Sequence, residues 1–364
     1  MNKQLTAFLL NCSFLAHNRI CKDWFYQTST YDFDELLPKL KSNHVQILQD
    51  HLQNLEQHQE QLDKCLQSNL RLIVFGEPEY PLLLSEIFDA PIAFWAKGNV
   101  ALLHSAQVAI IGSRNATNTG LKAATSLAEQ LCQFGYTISS GLALGIDSAG
   151  HRGALNVGGN TIAVKGSGFA NPYPNRNINL MSEIIDNNGL VISEYFLTVK
   201  PLPHNFLERN RIISGLSLAT VVVEASNRSG SLTTAKLAVN QGRELFAVPN
   251  NFLNKNSEGT NQLIKDGAHL ATSGEEIDFV LKPQVTQRYG SMQSNLKQVK
   301  QEKYSALNLT EAEQAVVDKL SYEPIFLDDF LEKIDRPYEQ IIELLTELEL
   351  KSIIKKNDQG YFLL

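Results

Sequence analysis

The chain is poor in cysteine: Cys12, Cys21, Cys65 and Cys132 are the only four, and no two of them form a C-x-x-C pair. With no Cys/His cluster at metal-ligand spacing either, the sequence excludes a disulfide framework and a structural zinc site and fits a reducing cytoplasm. Long apolar runs are missing as well, and no segment reaches the roughly 18 residues that a membrane-spanning helix needs. The nearest approach to a leader, Leu5 to Ala16, is interrupted by Asn11, Cys12 and Ser13 and lacks an A-x-A-like site, so it predicts a buried helix and no membrane insertion. Nucleotide signatures are absent too. There is no G-x-x-x-x-G-K-[ST] loop for ATP, and the one run resembling a dinucleotide loop, Gly166 to Asn171 (GSGFAN), fails at its last position. No cofactor is expected.

A positive net charge is also lacking. With 32 Lys and Arg against 39 Asp and Glu the chain carries -7, which by itself argues against nucleic acid, because phosphate binding depends on cations displacing condensed counterions. The distribution reverses that inference. Thirteen acidic and six basic residues lie between Ala306 and Leu364, which leaves twenty-six of each sign in residues 1 to 305. All the excess acid sits in the tail, and a neutral body can still carry a basic groove.

What is present is a succession of four segments. Residues 1–68 read as a small helical domain of sterile-alpha-motif or helix-hairpin-helix type. Residues 69–282 begin with two short β runs, a hairpin leading into the next domain, and then alternate strand and helix signals as a parallel sheet requires. Strands are predicted at Gln107–Gly112, Tyr136–Ser139, Thr161–Val164, Leu190–Ser193, Thr220–Glu224 and Glu244–Val248. The first is followed by a helix with apolar residues at the 3.6-residue period from Leu121 to Phe134, closed by Gly135. Residues 283–305 are polar and read as a linker. In 306–364, Thr310 and Glu313 form a capping-box pattern, and three helices followed by a hairpin suggest a winged helix. The fold class expected is α/β, an extended Rossmann-like and mostly parallel sheet, flanked by a small N-terminal helical domain and a C-terminal winged-helix-like domain.

Four constellations in the central segment carry chemistry. Gly112-Ser113-Arg114 ends the first parallel strand before a helix, where backbone N-H groups, a helix N-terminus and a permanent cation suit a phosphate; an ordinary βα turn with a surface arginine is the plain alternative. SGLALGID, with Gly141 and Gly145 after a strand, allows close backbone approach and places Asp147 to cap the next helix; His151, without a metal partner, reads as a structural or polar contact. In KPLPHNFLERNRI, Lys200, His204, Arg209 and Arg211 surround Phe206, the cation and ring combination on which unpaired bases stack. The alternative there is a core Phe206 with arginines paired to Glu208 and Glu194. Finally, a Val-rich strand ends at Glu224 before the Ser229-Gly230-Ser231 turn, a second anion-ready helix start, and Tyr173-Pro174-Asn175-Arg176-Asn177 could extend the same surface.

GSR, SGLALGID, the YP segment, SEY followed by P, F and RNRIISGLS, SGSLTTA, GRELFAVP and EGTNQLIKDGA occur in the order seen in the DprA/Smf (DNA-processing protein A) family, which the chain resembles closely over roughly residues 70 to 275. The resemblance implies a non-catalytic, homodimeric protein that binds single-stranded DNA, protects it and loads a RecA-type recombinase in natural transformation. It also implies DNA contacts from Gly112, Ser113, Arg114, Gly141, Arg176, Lys200, His204, Phe206, Arg209, Asn210, Arg211, Gly230 and Ser231. Arg114 would grip phosphate, Lys200 or His204 would supply a second cation, and Phe206 would stack a base. The chain departs from the family at Ala170 and Asn171, where an acidic residue usually follows the glycine turn, and at Lys165, usually apolar, which either adds a DNA contact or reflects exposure. The competing reading is an enzyme of the lonely-guy phosphoribohydrolase type with Glu224 as its carboxylate, although the P-G-G-x-G-T-x-x-E loop of those enzymes is missing. The tail also differs from a DNA reader, since Tyr338 to Leu350 contains four glutamates and no Lys or Arg, which points to protein contact or self-association.

Overall fold

The computed structural model of the chain describes residues 2–13, 15–289, 309–317, 319–320, 327, 331, 337–351, 353–357 and 360–363. Two compact units divide it, Met1–Met292 and Gln293–Leu364.

The first unit contains the strands β1 (Arg71–Val74), β2 (Ala93–Gly98), β3 (Gln107–Ile111), β4 (Thr137–Ser140), β5 (Thr161–Lys165), β6 (Leu190–Ser193), β7 (Ala219–Val222), β8 (Glu244–Ala247) and β9 (His269–Leu270). They form one nine-stranded sheet in the order β1-β2-β6-β5-β4-β3-β7-β8-β9. Every pairing from β6 to β9 is parallel, whereas β2 runs antiparallel to both β1 and β6. The expected leading hairpin is therefore part of the main sheet. Its period-2 alternation explains why: Ile73, Phe94 and Ala96 join the core on one side, and Leu72, Val74, Ala93 and Trp95 join another on the opposite side. Sequence order reverses between β3 and β7, so the topological switch point, where open α/β sheets leave a crevice at their strand ends, lies between those two strands.

The helices are α1 (Lys3–Cys12), α2 (Arg19–Gln27), α3 (Ser42–Leu52), α4 (Leu55–Gln67), α5 (Leu82–Ser85), α6 (Asn118–Gln133), α7 (Ile146–Asn156), α8 (Ile178–Asp186), α9 (Pro203–Leu216), α10 (Gly230–Asn240), α11 (Glu258–Lys265) and α12 (Gly274–Tyr289). On one face of the sheet α6, α7 and α12 cover Val108, Ile110, Ile138 and Val221; on the other α5, α9 and α10 cover Ala109, Ile111, Ile162 and Val222. Among the described residues no helix is long and apolar enough to cross a membrane. The leader-like segment is α1, buried from Thr6 to Asn11. Helix α12 includes residues 283–289, expected to begin the linker. Pro283 and polar neighbours hide its continuation, but Ile277, Leu281 and Val285 are buried at a four-residue spacing and carry the helix on along the core. The rest of the expected linker lies outside the described residues.

An ionic clamp ties the N-terminal helices to α9. Arg211 donates from Nη2 to both Glu194 oxygens, at 2.7 and 2.9 Å, and from Nε to Asp89 at 2.9 Å. Lys22 of α2 closes on the same Asp89, and Tyr26 donates to the Ala90 carbonyl. Asn11 of α1 donates to the Glu194 carbonyl at 2.6 Å, and His17 stacks on Tyr195 at 5.7 Å. Glu194 and Arg211 are almost fully buried, so removal of Arg211 would strand the Glu194 charge inside the protein. The guanidinium beside them holds the Glu194 and Asp89 carboxyls below their usual range against the opposing effect of burial.

In the second unit, helices Glu311–Val317 and Tyr338–Leu350 pack with an antiparallel pair, Ile354–Asn357 and Gly360–Leu363, around Val316, Leu320, Ile341, Leu345 and Ile353. The capping box forms in both directions. Thr310 N donates to Glu313 at 2.9 Å and Glu313 N to the Thr310 hydroxyl at 3.2 Å. Of the helix expected at 327–334, Leu327 and Leu331 are helical and the remainder lies outside the described residues.

Candidate nucleic-acid interface

At the switch point the chain leaves β3 through Gly112, Ser113, Arg114 and Asn115. Ser113 N donates to the Glu224 carbonyl at 2.7 Å, and Ile146 N donates to the Ser113 carbonyl at 3.2 Å, so the turn is held from β7 and from α7. Two glycines make that approach possible. A Cβ on Gly112 would lie 2.6 Å from Ile146, and one on Gly145, whose φ is +79°, would lie 2.2 Å from the Ser113 carbonyl. Gly145 consequently stands at the N-cap position of α7, and Asp147, expected there, sits two residues further on in the first turn and accepts from Gly141 N at 3.1 Å.

The opposite wall is the start of α10. Ser229 accepts from Ser231 N at 3.2 Å, and the Ser231 hydroxyl donates to the Gly112 carbonyl at 2.9 Å, which joins the two turns. Helix α9 supplies the third wall with Phe206, Arg209 and Asn210. Together these walls enclose a cleft of about 390 Å³, which Asp147, Ser226, Ser229 and Thr234 also line. Half-buried Phe206 is its aromatic centre: the Arg114 guanidinium lies 5.6 Å from the ring centre, that of Arg209 lies 5.9 Å away, and the exposed Tyr173 ring approaches to 5.4 Å.

The predicted site residues thus separate into groups. Gly112, Ser113, Arg114, Phe206, Arg209, Asn210, Gly230 and Ser231 converge on the cleft. Arg176, Lys200 and His204 are exposed but do not line it. Asn177 fastens the Arg176 segment by donating to the carbonyls of Leu142 and Ala143 at 2.8 and 3.1 Å. Gly141 is buried, and its missing side chain makes room for Arg209 and Asp147 rather than for a ligand; a Cβ there would lie 2.5 Å from the Arg209 guanidinium. Arg211 is committed to the clamp, as the ion-pair alternative proposed, though with Asp89 as its second partner.

Arg209 is only 3% exposed and donates to the carbonyls of Gly141, at 2.6 Å, and Val164, while its buried Nε has no partner among the described residues. Burial pushes this guanidinium down to about 10 and pushes the neighbouring Asp147 carboxyl up, with Arg209 pulling it back. Arg114 and Arg228, by contrast, are exposed and make no ion pair among the described residues. Arg228 was missed because a single arginine between Asn227 and Ser229 forms no pattern; its adjacency to the Ser229 turn was the available signal. Lys165 is neither exposed nor free. It is 2% exposed, donates to the Gly168 carbonyl at 3.1 Å and stands over the Phe169 ring.

Glu224 has a role that the sequence did not suggest. Its buried carboxylate accepts from Thr117 N at 2.9 Å, from the Thr117 hydroxyl and from Asn250 Nδ2 at 3.3 Å, and a Cβ on Gly120 would lie 2.4 Å from its carboxyl carbon. The N-terminus of α6, expected to face a ligand anion, is therefore occupied by the protein's own carboxylate. His151 is also internal. Its Nδ1 lies 2.7 Å from the Thr161 hydroxyl, which itself donates to the Ile138 carbonyl, so the ring must donate from Nδ1 and its buried Nε2 is left unpartnered. Among the described residues there is no cluster able to hold a metal ion.

Residues 71–281 match the family model of DNA recombination-mediator protein A, and residues 300–356 match that of the DprA winged helix domain. The chain is 46% identical over 211 residues to Protein Smf of Escherichia coli, covering 58% of this chain and 56% of that protein. It is 45% identical over 198 residues to DNA processing protein DprA of Streptococcus pneumoniae, covering 54% of this chain and 70% of the relative. The match thus spans little more than half the length of the first relative. Among solved structures, the S. pneumoniae DprA fold superposes with a TM-score of 0.64 at 34% identity, covering 76% of this chain and 94% of that one. DNA processing protein A from Helicobacter pylori, described for its single-stranded DNA binding mode, superposes with a TM-score of 0.53 at 31% identity, covering 58% and 97%.

Proposed function

The chain belongs to the DNA recombination-mediator protein A (DprA/Smf) family, and from that premise we propose that it binds single-stranded DNA in the switch-point cleft. The observation that carries this reading is the convergence of Gly112-Ser113-Arg114, Phe206 and Ser229-Gly230-Ser231 on one opening. Unpaired Arg114 and the N-H groups at the start of α10 would hold phosphates, and Phe206, the ring between two guanidinium groups, would stack a base. The single-stranded DNA binding mode described for the H. pylori relative supports the same ligand class. Arg209 acts from beneath, since its carbonyl partners fix the guanidinium that faces the ring. Arg176, Lys200 and His204 would meet the strand outside the cleft, and Gly141 and Arg211 serve the frame.

The cellular role that fits is protection of incoming DNA and loading of a RecA-type recombinase in natural transformation, by a cytoplasmic homodimer. Two clefts in a dimer would raise avidity for one strand. We take the protein to be a binder rather than an enzyme. The phosphoribohydrolase reading depended on Glu224, whose carboxylate is buried and engaged by Thr117 and Asn250 and so is not presented to a substrate.

Fluorescence anisotropy with single- and double-stranded oligonucleotides over a salt series tests the proposal. Wild type is expected to favour single strands, to weaken with salt by about 0.7 log unit per log unit for each phosphate neutralised, and to lose affinity in Arg114→Ala and Phe206→Ala. Indifference of the wild type to single strands at moderate salt would overturn it.

A further inference from the structure

Between β8 and α11 the chain makes a loop, residues 248–257, whose two ends are fastened to the frame of the cleft. At one end Asn250 reaches the Glu224 carboxylate at 3.3 Å and exchanges bonds with Asn261; at the other, Asn256 Nδ2 donates to the carbonyl of Asn115, next to Arg114, at 3.2 Å. The span between is braced by its own asparagines. Asn251 Oδ1 accepts from Leu253 N at 2.9 Å and Asn254 Oδ1 from Asn256 N at 3.0 Å, and Asn254 N donates to the Asn251 carbonyl at 3.0 Å. This bracing presents Phe252 and Leu253 to solvent at 81% and 77% exposure. Scattered apolar side chains on a surface need no explanation, but an adjacent pair on a loop tied at both ends to the frame that carries Arg114 does.

The charges nearby have the sign a phosphate backbone requires. Lys255 is exposed on the same loop, and Arg228 is exposed on the segment that Asn227 joins to Glu258, at the start of α11, by a 2.9 Å bond; neither cation makes an ion pair among the described residues. Glu258 is the acid facing this group, and it is engaged by Asn227.

We infer that Phe252 is a second base-stacking station, with Lys255 and Arg228 as its phosphate contacts, so that a strand seated on Phe206 continues past Arg114 onto this loop. The inference rests on the cleft being the single-strand site and extends it from one nucleotide platform to a track. Stacking on exposed rings is tolerant of sequence and is the usual means by which single-strand binders add length.

The test compares wild type and Phe252→Ala on oligothymidylates of about 6 and about 15 nucleotides, lengths chosen from the site sizes of single-strand-binding folds. The short strand is expected to bind both proteins equally at the Phe206 station. The long strand is expected to lose about five- to hundredfold in affinity for the variant, the value of one stacked base. Phe252→Leu, which keeps an apolar side chain and removes the ring, is expected to lose nearly as much. Phe252→Trp adds a direct signal, because Trp24 and Trp95 are buried: its emission should be quenched by the long strand and not by the short one. Equal binding of the long strand by wild type and Phe252→Ala would overturn the inference while leaving the Phe206 cleft intact. A fall in oligomer mass in Phe252→Ala would also overturn it, by assigning the loop to a second copy of the chain. Failure of wild type to bind either strand would remove the cleft reading and this one together.

Discussion

The clamp around Arg211 and the cleft around Arg114 are built from the same materials, cations beside aromatic rings at the two flanks of α9, and they do opposite things. In the clamp every cation faces a carboxylate: Arg211 meets Glu194 and Asp89, and Lys22 meets Asp89. In the cleft Arg114 makes no ion pair among the described residues, although Asp147 lines the same opening, and Arg228 beside the Ser229 turn is likewise unpaired. A basic residue is thus available to a ligand only where the fold leaves it exposed and unpaired; Arg209 and Arg211, two positions apart in one motif, are both committed inside the protein, Arg209 to the carbonyls of Gly141 and Val164 and Arg211 to carboxylates.

The contrast is broken most severely at the buried pair. Arg211→Met is expected to lose about 3–5 kcal/mol of stability in denaturant titration, since the Glu194 charge stays buried without its guanidinium, and Glu194→Gln, which leaves Arg211 its bond to Asp89, is expected to lose less. DNA affinity of the folded fraction should keep the wild-type salt slope. A midpoint unchanged from wild type would mean that the clamp is as dispensable as a surface pair.

Acid distinguishes a buried neutral base from these buried charges. Burial holds His151 down at about 3, against its ordinary 6.5, so between those values the unfolded chain binds a proton that the folded one does not. Stability should therefore fall as pH drops below about 6.5, by up to about 1.4 kcal/mol per pH unit. Glu194 and Asp89, whose folded pKa values are depressed, contribute stability that is present above the usual carboxylate range and is lost only as pH falls below it. In His151→Gln the stability profile should flatten between pH 6.5 and about 4.5, and a slope equal to wild type there would count against the neutral buried ring.

Arg114→Ala should do the reverse of the clamp variants. Stability is expected to stay within about 0.5 kcal/mol of wild type, as for an exposed unpaired side chain, while the salt slope for single strands drops by about 0.7. The smallest effect is expected from shortening the chain to the first unit, Met1–Met292. Its affinity for single strands should remain within about twofold, because a Glu-rich helix contributes no counterion release; a large loss would give the tail a DNA contact of its own.

Much of the central sheet was legible because buried parallel strands announce themselves as short β-branched and apolar runs, as at Val108 to Ile111 and Thr220 to Val223. β9 was not, since two residues, both exposed, carry no period. The continuation of α12 was hidden by Pro283 and polar neighbours. At the site, motif order located the converging loops, but the pairing state of each cation depended on residues far away in sequence. Asp89 lies 122 positions from Arg211, and no local pattern connects them. Gly141 misled for a related reason: it accommodates Arg209, an internal group whose approach only the fold reveals, as Gly120 does for Glu224.

Glu224 links the two turns of the cleft and the neighbouring 248–257 loop through one residue: its carbonyl receives Ser113, its carboxylate receives Thr117 and Asn250, and its chain leads into the Ser229 turn. These loops are therefore ordered before any strand arrives, and an incoming strand must give up mainly its own conformational freedom. Encounter should then be limited by diffusion and electrostatic steering rather than by rearrangement of the protein, and differences in affinity among strand lengths should be expressed as differences in residence time.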